Sequence, residues 1–192
     1  MIKKMKTKIK DVNCYVLSGM AQFKGFVKNG FDSSTIINLI TVFDSNYDEF
    51  RKRGFIFPPN LFFFHEISVP ETIGVLINKH KLTKEEAKEA LNKLVTNFNL
   101  SKIIRKSELD LDYEKIVEEA NKRVVNKDPK LKIGEQDIII IGGFLREKIN
   151  FVHSGDLGFL KTCEELNINT IPTPKRDIEK ENQIKKFMKD RT

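Results

Sequence analysis

Apolar residues recur at two different spacings along this chain, and the spacing changes with position. Over residues 12–31, "VNCYVLSGMAQFKGFVKNGF", they alternate weakly, which suits one or two strands. "SSTIINLITVF", 33–43, fits helical and strand spacing equally well. Gly54 and the Pro58-Pro59 pair then punctuate the chain, and "LFFFHEISVP" follows as an apolar run that suits a strand or the start of a buried helix. From there the helical period dominates. "PETIGVLINKH" has Pro70 and Glu71 at a helix start, where proline loses no hydrogen bond and an acid complements the dipole. "LTKEEAKEALNKLVTNF" opens with the capping-box pattern Thr83 to Glu86 and repeats Ala87, Ala90, Leu91, Leu94 and Val95 on one face. "LSKIIRKS" reads as a short strand. "LDYEKIVEEANKRVV" reads as an amphipathic helix with Tyr113, Ile116, Val117, Ala120 and Val124 on one side, and Pro129 beyond its end. "INFVHS", "GDLGFLKTCEEL" and "INTIPTP" read as strand, helix and strand, followed by a charged tail of helical composition. One piece resists the pattern: Ile138 to Ile141 in "GEQDIIIIGGFLREK" are four β-branched residues that locally favour a strand.

Strands alternate with helices through the second half, and parallel strands require such crossovers, so the pattern predicts an α/β sandwich. In sheets of that kind ligands gather beyond the carboxyl ends of the strands. Composition narrows the picture. The 192 residues, 40% hydrophobic, suit one globular domain with short additions. No apolar run is long enough for a membrane span, and the basic start "MIKKMKTKIK" lacks the apolar stretch of a signal peptide. Cys14 and Cys163 are isolated, which excludes a disulfide framework or a cysteine zinc site and suits reduced thiols inside the cell. Of the net charge of +7, residues 1–31 carry +6 and 175–192 carry +3, leaving −2 for 32–174. Basic ends of this sort suit phosphate backbones, and equally suit solvated termini.

The acids that follow strands or open helices are the candidates for chemistry. Asp32 precedes "SSTIINLI", Glu71 opens a helix, Asp137 begins "DIIIIGGFL" with Glu135 two before it, and Asp156 follows "INFVHS". Each has an ordinary explanation as a cap or a first-turn acid. Brought together they would repel one another unless a hard cation such as Mg²⁺ or Mn²⁺, which takes oxygen ligands, joined them. Spacing alone does not bring them together.

The residues resemble a known family at this point. "DIIIIGGFLREKINFVHSGDLGFL", with Asp137, Ser154, Asp156 and Phe159, resembles the C-terminal signature of the PIN-domain nucleases, VapC-like metal-dependent ribonucleases. "DSSTIINLI" from Asp32 resembles the first motif of that family, and "ETIGVLINKHKLTKEEAKEAL" from Glu71 its second. Glu66 is a rival to Glu71; the downstream pattern aligns with Glu71. The resemblance spans roughly residues 25–174 and implies a three-layer α/β/α sandwich around a mostly parallel sheet, with Ile138–Ile141 in a buried helix. Against the family pattern, "GFVKNGF" is a poor central strand and Gly142-Gly143 weakens a helix. The implied organisation is a basic extension over 1–31 with one or two extra strands or a basic arm, a PIN-like domain over 32–174 and a charged tail over 175–192. The implied chemistry is RNA hydrolysis by a metal-dependent endoribonuclease that leaves 5′-phosphate and 3′-hydroxyl ends. Asp32, Asp137 and Asp156 would hold Mg²⁺ or Mn²⁺, Glu71 would complete the cluster, and Ser34 and Ser154 would orient carboxylates or water. The implied partners are single-stranded or structured RNA, an antitoxin-like protein and a second copy of the chain; the implied place is the cytoplasm, away from membranes, in a toxin–antitoxin or an RNA-processing role. A catalytically weak PIN-like binding or assembly module is the alternative. A small phosphatase is disfavoured, because "IIGGF" is no phosphate loop. His153 neighbours Ser154, but strand alternation points it to the opposite face.

Overall fold

The computed structural model describes residues 26–41 and 60–173. Five strands form one parallel sheet: β1 (Val27–Phe31), β2 (Asn60–His65), β3 (Ser101–Ile103), β4 (Phe151–Ser154) and β5 (Asn169–Pro172), in the order β3-β2-β1-β4-β5. Six α-helices flank it: α1 (Ser33–Thr41), α2 (Ser68–His80), α3 (Lys84–Phe98), α4 (Ser107–Lys127), α5 (Glu135–Arg146) and α6 (Leu157–Glu165), with a 3₁₀ turn over Pro129–Leu131. This is the three-layer α/β/α sandwich with a parallel sheet that the sequence implies. The further strands expected within 12–25, the punctuation at Gly54 and Pro58-Pro59 and the charged tail over 175–192 lie outside the described residues.

Period-two alternation gives the sheet two different faces. Phe31, Phe62 and Phe64 pack with Ile36, Leu39, Leu91, Leu94 and Phe98 under α1, α2 and α3. Val152 packs on the other face with Val117, Ile140, Ile141, Phe144, Phe159 and Cys163 of α4, α5 and α6. The fold resolves the ambiguous segments by burial. "LFFFH" is β2, two places from the edge, and "SSTIINLIT" is α1 with Ile36 and Leu39 inward. The isoleucine run lies in α5 against local propensity: packed between α4 and the sheet, that helix buries Ile139, Ile140 and Ile141 together.

Three expectations change. The unpromising segment before Asp32 is the central strand. Its polar Asn29 is fully buried yet bonded: its amide donates to Asn60 Oδ1 (3.1 Å) and its carbonyl oxygen lies 3.1 Å from His153 Nε2. Its Gly30 makes room for an aromatic ring, since a Cβ there would lie 2.9 Å from Phe144. The weakening of a helix at Gly143 likewise has a purpose: a Cβ there would stand 2.5 Å from the His65 ring, so glycine lets α5 lie directly on the end of β2. Finally, Ile116 is 47% exposed, because α4 packs against both α5 and α6 and centres its buried stripe on Val117, Ala120, Asn121 and Val124.

Candidate carboxylate site

The strand order reverses between β1 and β4: the chain runs outward from β1 through β2 to β3, then resumes on the other side at β4. Connections diverge above such a reversal and leave a crevice at the carboxyl ends of the two strands. Asp32 follows β1 there, and Ser154 and Asp156 end β4.

Asp32 is held from three directions. Ser34 Oγ donates to its two oxygens (2.9 and 2.8 Å), the Thr35 amide donates to Oδ1 (2.8 Å), and Ser154 Oγ donates to Oδ2 (2.5 Å). The same two hydroxyls accept from the neighbouring turn: Gly155 N–H donates to Ser34 Oγ (2.8 Å) and Asp156 N–H to Ser154 Oγ (2.9 Å). The serines thus fasten the end of β1 to the turn after β4. Asp32 is 5% exposed, and burial pushes its pKa up while the bonds from Ser154, Thr35 and Ser34 oppose that shift.

Asp156 caps α6, with Phe159 N–H donating to Oδ1 (2.8 Å). Asp137 sits in the first turn of α5 and accepts from Gly134 N–H (3.1 Å) through Oδ2, half of a capping box because Gly134 has no side chain to return the bond. Each therefore uses one carboxylate oxygen locally, and the other has no hydrogen-bond donor among the described residues. Glu71 lies exposed in the first turn of α2. Asp137 reports on the whole set. Its pKa is pushed up to about 6, first by burial, then by the negative charges of Asp156, Asp32 and Glu71, against the lowering bond from Gly134. The fold thus brings Asp32, Glu71 and Asp156 within electrostatic reach of Asp137 from separate places in the chain.

Glu66 has a different task. Its Oε1 accepts from Arg105 N–H and its amide donates to the Ile103 carbonyl, both at 2.9 Å, so it ties the ends of β2 and β3 together. His153 lies on the far face, edge-on to Phe31 with ring centroids 5.1 Å apart. Two residues went unnoticed in the sequence. Thr35 Oγ1 donates to the His153 carbonyl (2.7 Å) and shares a hydrogen bond with Thr173 Oγ1 (2.7 Å), while Thr173 N–H donates to the Ser154 carbonyl (2.8 Å). They lock α1 and the end of β5 onto β4. The hydroxyl run in "DSST" carried a signal for Thr35; nothing in "TIPTP" marked Thr173.

The donors are all oxygens, which suits a hard divalent cation. Among the described residues no group of three or more His, Cys, Asp or Glu side chains is placed to hold a metal ion. A cation between the acids would offset the charges of Asp156, Asp32 and Glu71, which add to burial in raising Asp137. No helix among the described residues is long and apolar enough to cross a membrane.

Comparison with solved structures places this architecture: it is the VapC-like PIN fold. The chain is similar to one in the crystal structure of VapBC2 from Rickettsia felis, which is bound to a DNA fragment from its promoter. The TM-score is 0.55 at 17% identity, over 76% of this chain and 98% of that one. It is similar to the same extent to a chain of VapBC-1 from nontypeable Haemophilus influenzae, with a TM-score of 0.54 at 14% identity over 76% and 98%. No family model matches the sequence, and no curated protein matches it.

Proposed function

We propose that this protein is a metal-dependent endoribonuclease. The observation that carries this reading is that Asp32 and Asp156 follow β1 and β4 at the reversal of strand order, while Asp137 is raised by burial and then by the charges of Asp156, Asp32 and Glu71. Asp32, Asp137 and Asp156 are the ligands, directly or through water, and Glu71 completes the anionic wall. Ser154 and Ser34 aim Asp32, and Asp137 and Asp156 each offer a carboxylate oxygen that local structure leaves open. Bound Mg²⁺ or Mn²⁺ supplies an activated water and neutralises charge building on the phosphodiester. The substrate is RNA, single-stranded or structured. The likeness to chains of two VapBC assemblies supports an antitoxin-like protein partner, and a homodimer belongs to the same reading. So does a cytoplasmic setting.

The test is cleavage of a panel of single-stranded RNAs with Mn²⁺ by the wild type and by Asp156→Asn. We expect cleavage by the wild type, its loss in the variant, and its loss in EDTA. Equal cleavage by both proteins would remove the carboxylates from the mechanism. Silence of the wild type on every RNA would leave the fold as a binding or assembly module.

A further inference from the structure

The 3₁₀ turn over Pro129–Leu131 and its continuation to Lys132 stand beside the carboxylates, and the site described above makes no use of them. Gly158, in the first turn of α6, fixes the distance. A Cβ on it would lie 2.7 Å from the Leu131 carbonyl oxygen and 3.2 Å from Asp156 Oδ1, so the turn and the carboxylate face each other across a single glycine. The turn is also held in place. Asn121, 7% exposed, donates through Nδ2 to the Leu131 carbonyl (3.3 Å) and to Thr162 Oγ1 (3.0 Å), while Thr162 Oγ1 donates to the Gly158 carbonyl (2.9 Å). Asp128 accepts from Lys130 N–H (3.0 Å) and sets the start of the turn. On the other side the chain passes from Lys132 into Gly134 and Asp137, the second open carboxylate.

Two exposed lysines, Lys130 and Lys132, project from this fixed loop. Cations farther along the same helices are neutralised: Arg123 and Lys127 pair with Glu165 at 2.8 and 3.0 Å, and Lys161 pairs with Glu164 at 2.7 Å. Lys130 and Lys132 pair with no acid among the described residues. A rim of this kind repels a free cation and attracts a polyanion, and the lysine stems let each ammonium meet a phosphate several ångströms from the acids.

From this geometry we infer that Lys130 and Lys132 are backbone contacts for the RNA strand, each meeting a phosphate that flanks the scissile one. This rests on the nuclease reading for its substrate and adds the surface that holds it. It requires a substrate extending at least a nucleotide or two beyond the cleaved bond on the Asp156 side. A mononucleotide or a dinucleotide gains nothing from this loop.

The experiment uses the full chain and a labelled single-stranded RNA of mixed sequence. Affinity is first measured without divalent cations, as a function of salt, for the wild type, K130A/K132A, K130R/K132R and Asp156→Asn. The alanine variant is expected to bind roughly three- to tenfold more weakly at low salt, and its log–log salt slope to fall by about 1.4, the share of two phosphates on a single strand. The arginine variant should bind as the wild type does. With Mn²⁺ the alanine variant should show a raised KM and an unchanged kcat, and a dinucleotide should be cut equally by both. An unchanged affinity and slope in K130A/K132A would overturn the proposal, as would a wild type that binds no RNA. Weakened binding in K130A/K132A together with a wild type that cuts nothing would uphold the contact surface and sink the nuclease reading alone.

Discussion

An aspartate whose pKa rises to about 6 is a liability to the fold it sits in, and Asp137 owes that shift to burial and to three neighbouring acids. Its ordinary value is 3.8, so between roughly pH 4 and pH 6 the folded chain keeps a proton that the unfolded chain has released. Stability from this residue therefore declines as pH rises through that window and stays low above it. Asp137→Asn removes the effect: without metal, the variant's stability advantage should grow from pH 4 to pH 6 and then level off, by urea titration at each pH. Mn²⁺ at pH 7 should stabilise the wild type and do much less for the variant. The comparison must be made as a difference, because His65 pulls the other way. Burial lowers its pKa below 6.5, with Glu66 and Asp110 opposing and Arg146 and Arg105 reinforcing, so it costs stability as pH falls. Neither shift could be read in the sequence. Asp137 and Asp156 were identifiable as candidates because their spacing and context resemble a motif; that Asp32 is the buried member, bonded from three sides, was not, because its partner Ser154 lies 122 residues away.

The helices differ in how openly they declare themselves. α3 was legible to the residue, since a capping box is a local device: Thr83 accepts from Glu86 N–H and Glu86 Oε2 accepts from Thr83 N–H. α5 was legible only through resemblance, since four isoleucines choose a helix for what surrounds them. β1 was misjudged because a buried asparagine and a glycine argue against a central strand until Asn60, His153 and Phe144 are known to be there. The glycines give this contrast a measurable form. Gly143→Ala forces a methyl into the His65 ring and should destabilise by about 1–3 kcal/mol, outweighing the gain in helix propensity. Gly74→Ala in α2 meets nothing within 4 Å and should stabilise by up to about 1 kcal/mol. Midpoints of urea unfolding for the two variants should move in opposite directions from the wild type.

At the scale of the molecule, the sheet is assembled from its middle. β1 pairs with β2 on one side and with β4 on the other, and residues Val152, Phe159 and Cys163 from the last third of the chain complete one of the two cores. A chain ending at Lys148 keeps Asp32, Glu71 and Asp137 but leaves β1 as an edge strand, paired with β2 alone, beside an incomplete core. Such a fragment should show no cooperative unfolding in urea, where the full chain shows one transition. The same connectivity has a meaning in time. Ser154, which fixes Asp32, and Asp156, two residues on, are among the last residues of the fold to leave the ribosome. While the chain is being made, its early acids are solitary carboxylates on unfinished protein. On the nuclease reading proposed above, the site is complete only once the turn after β4 has been made.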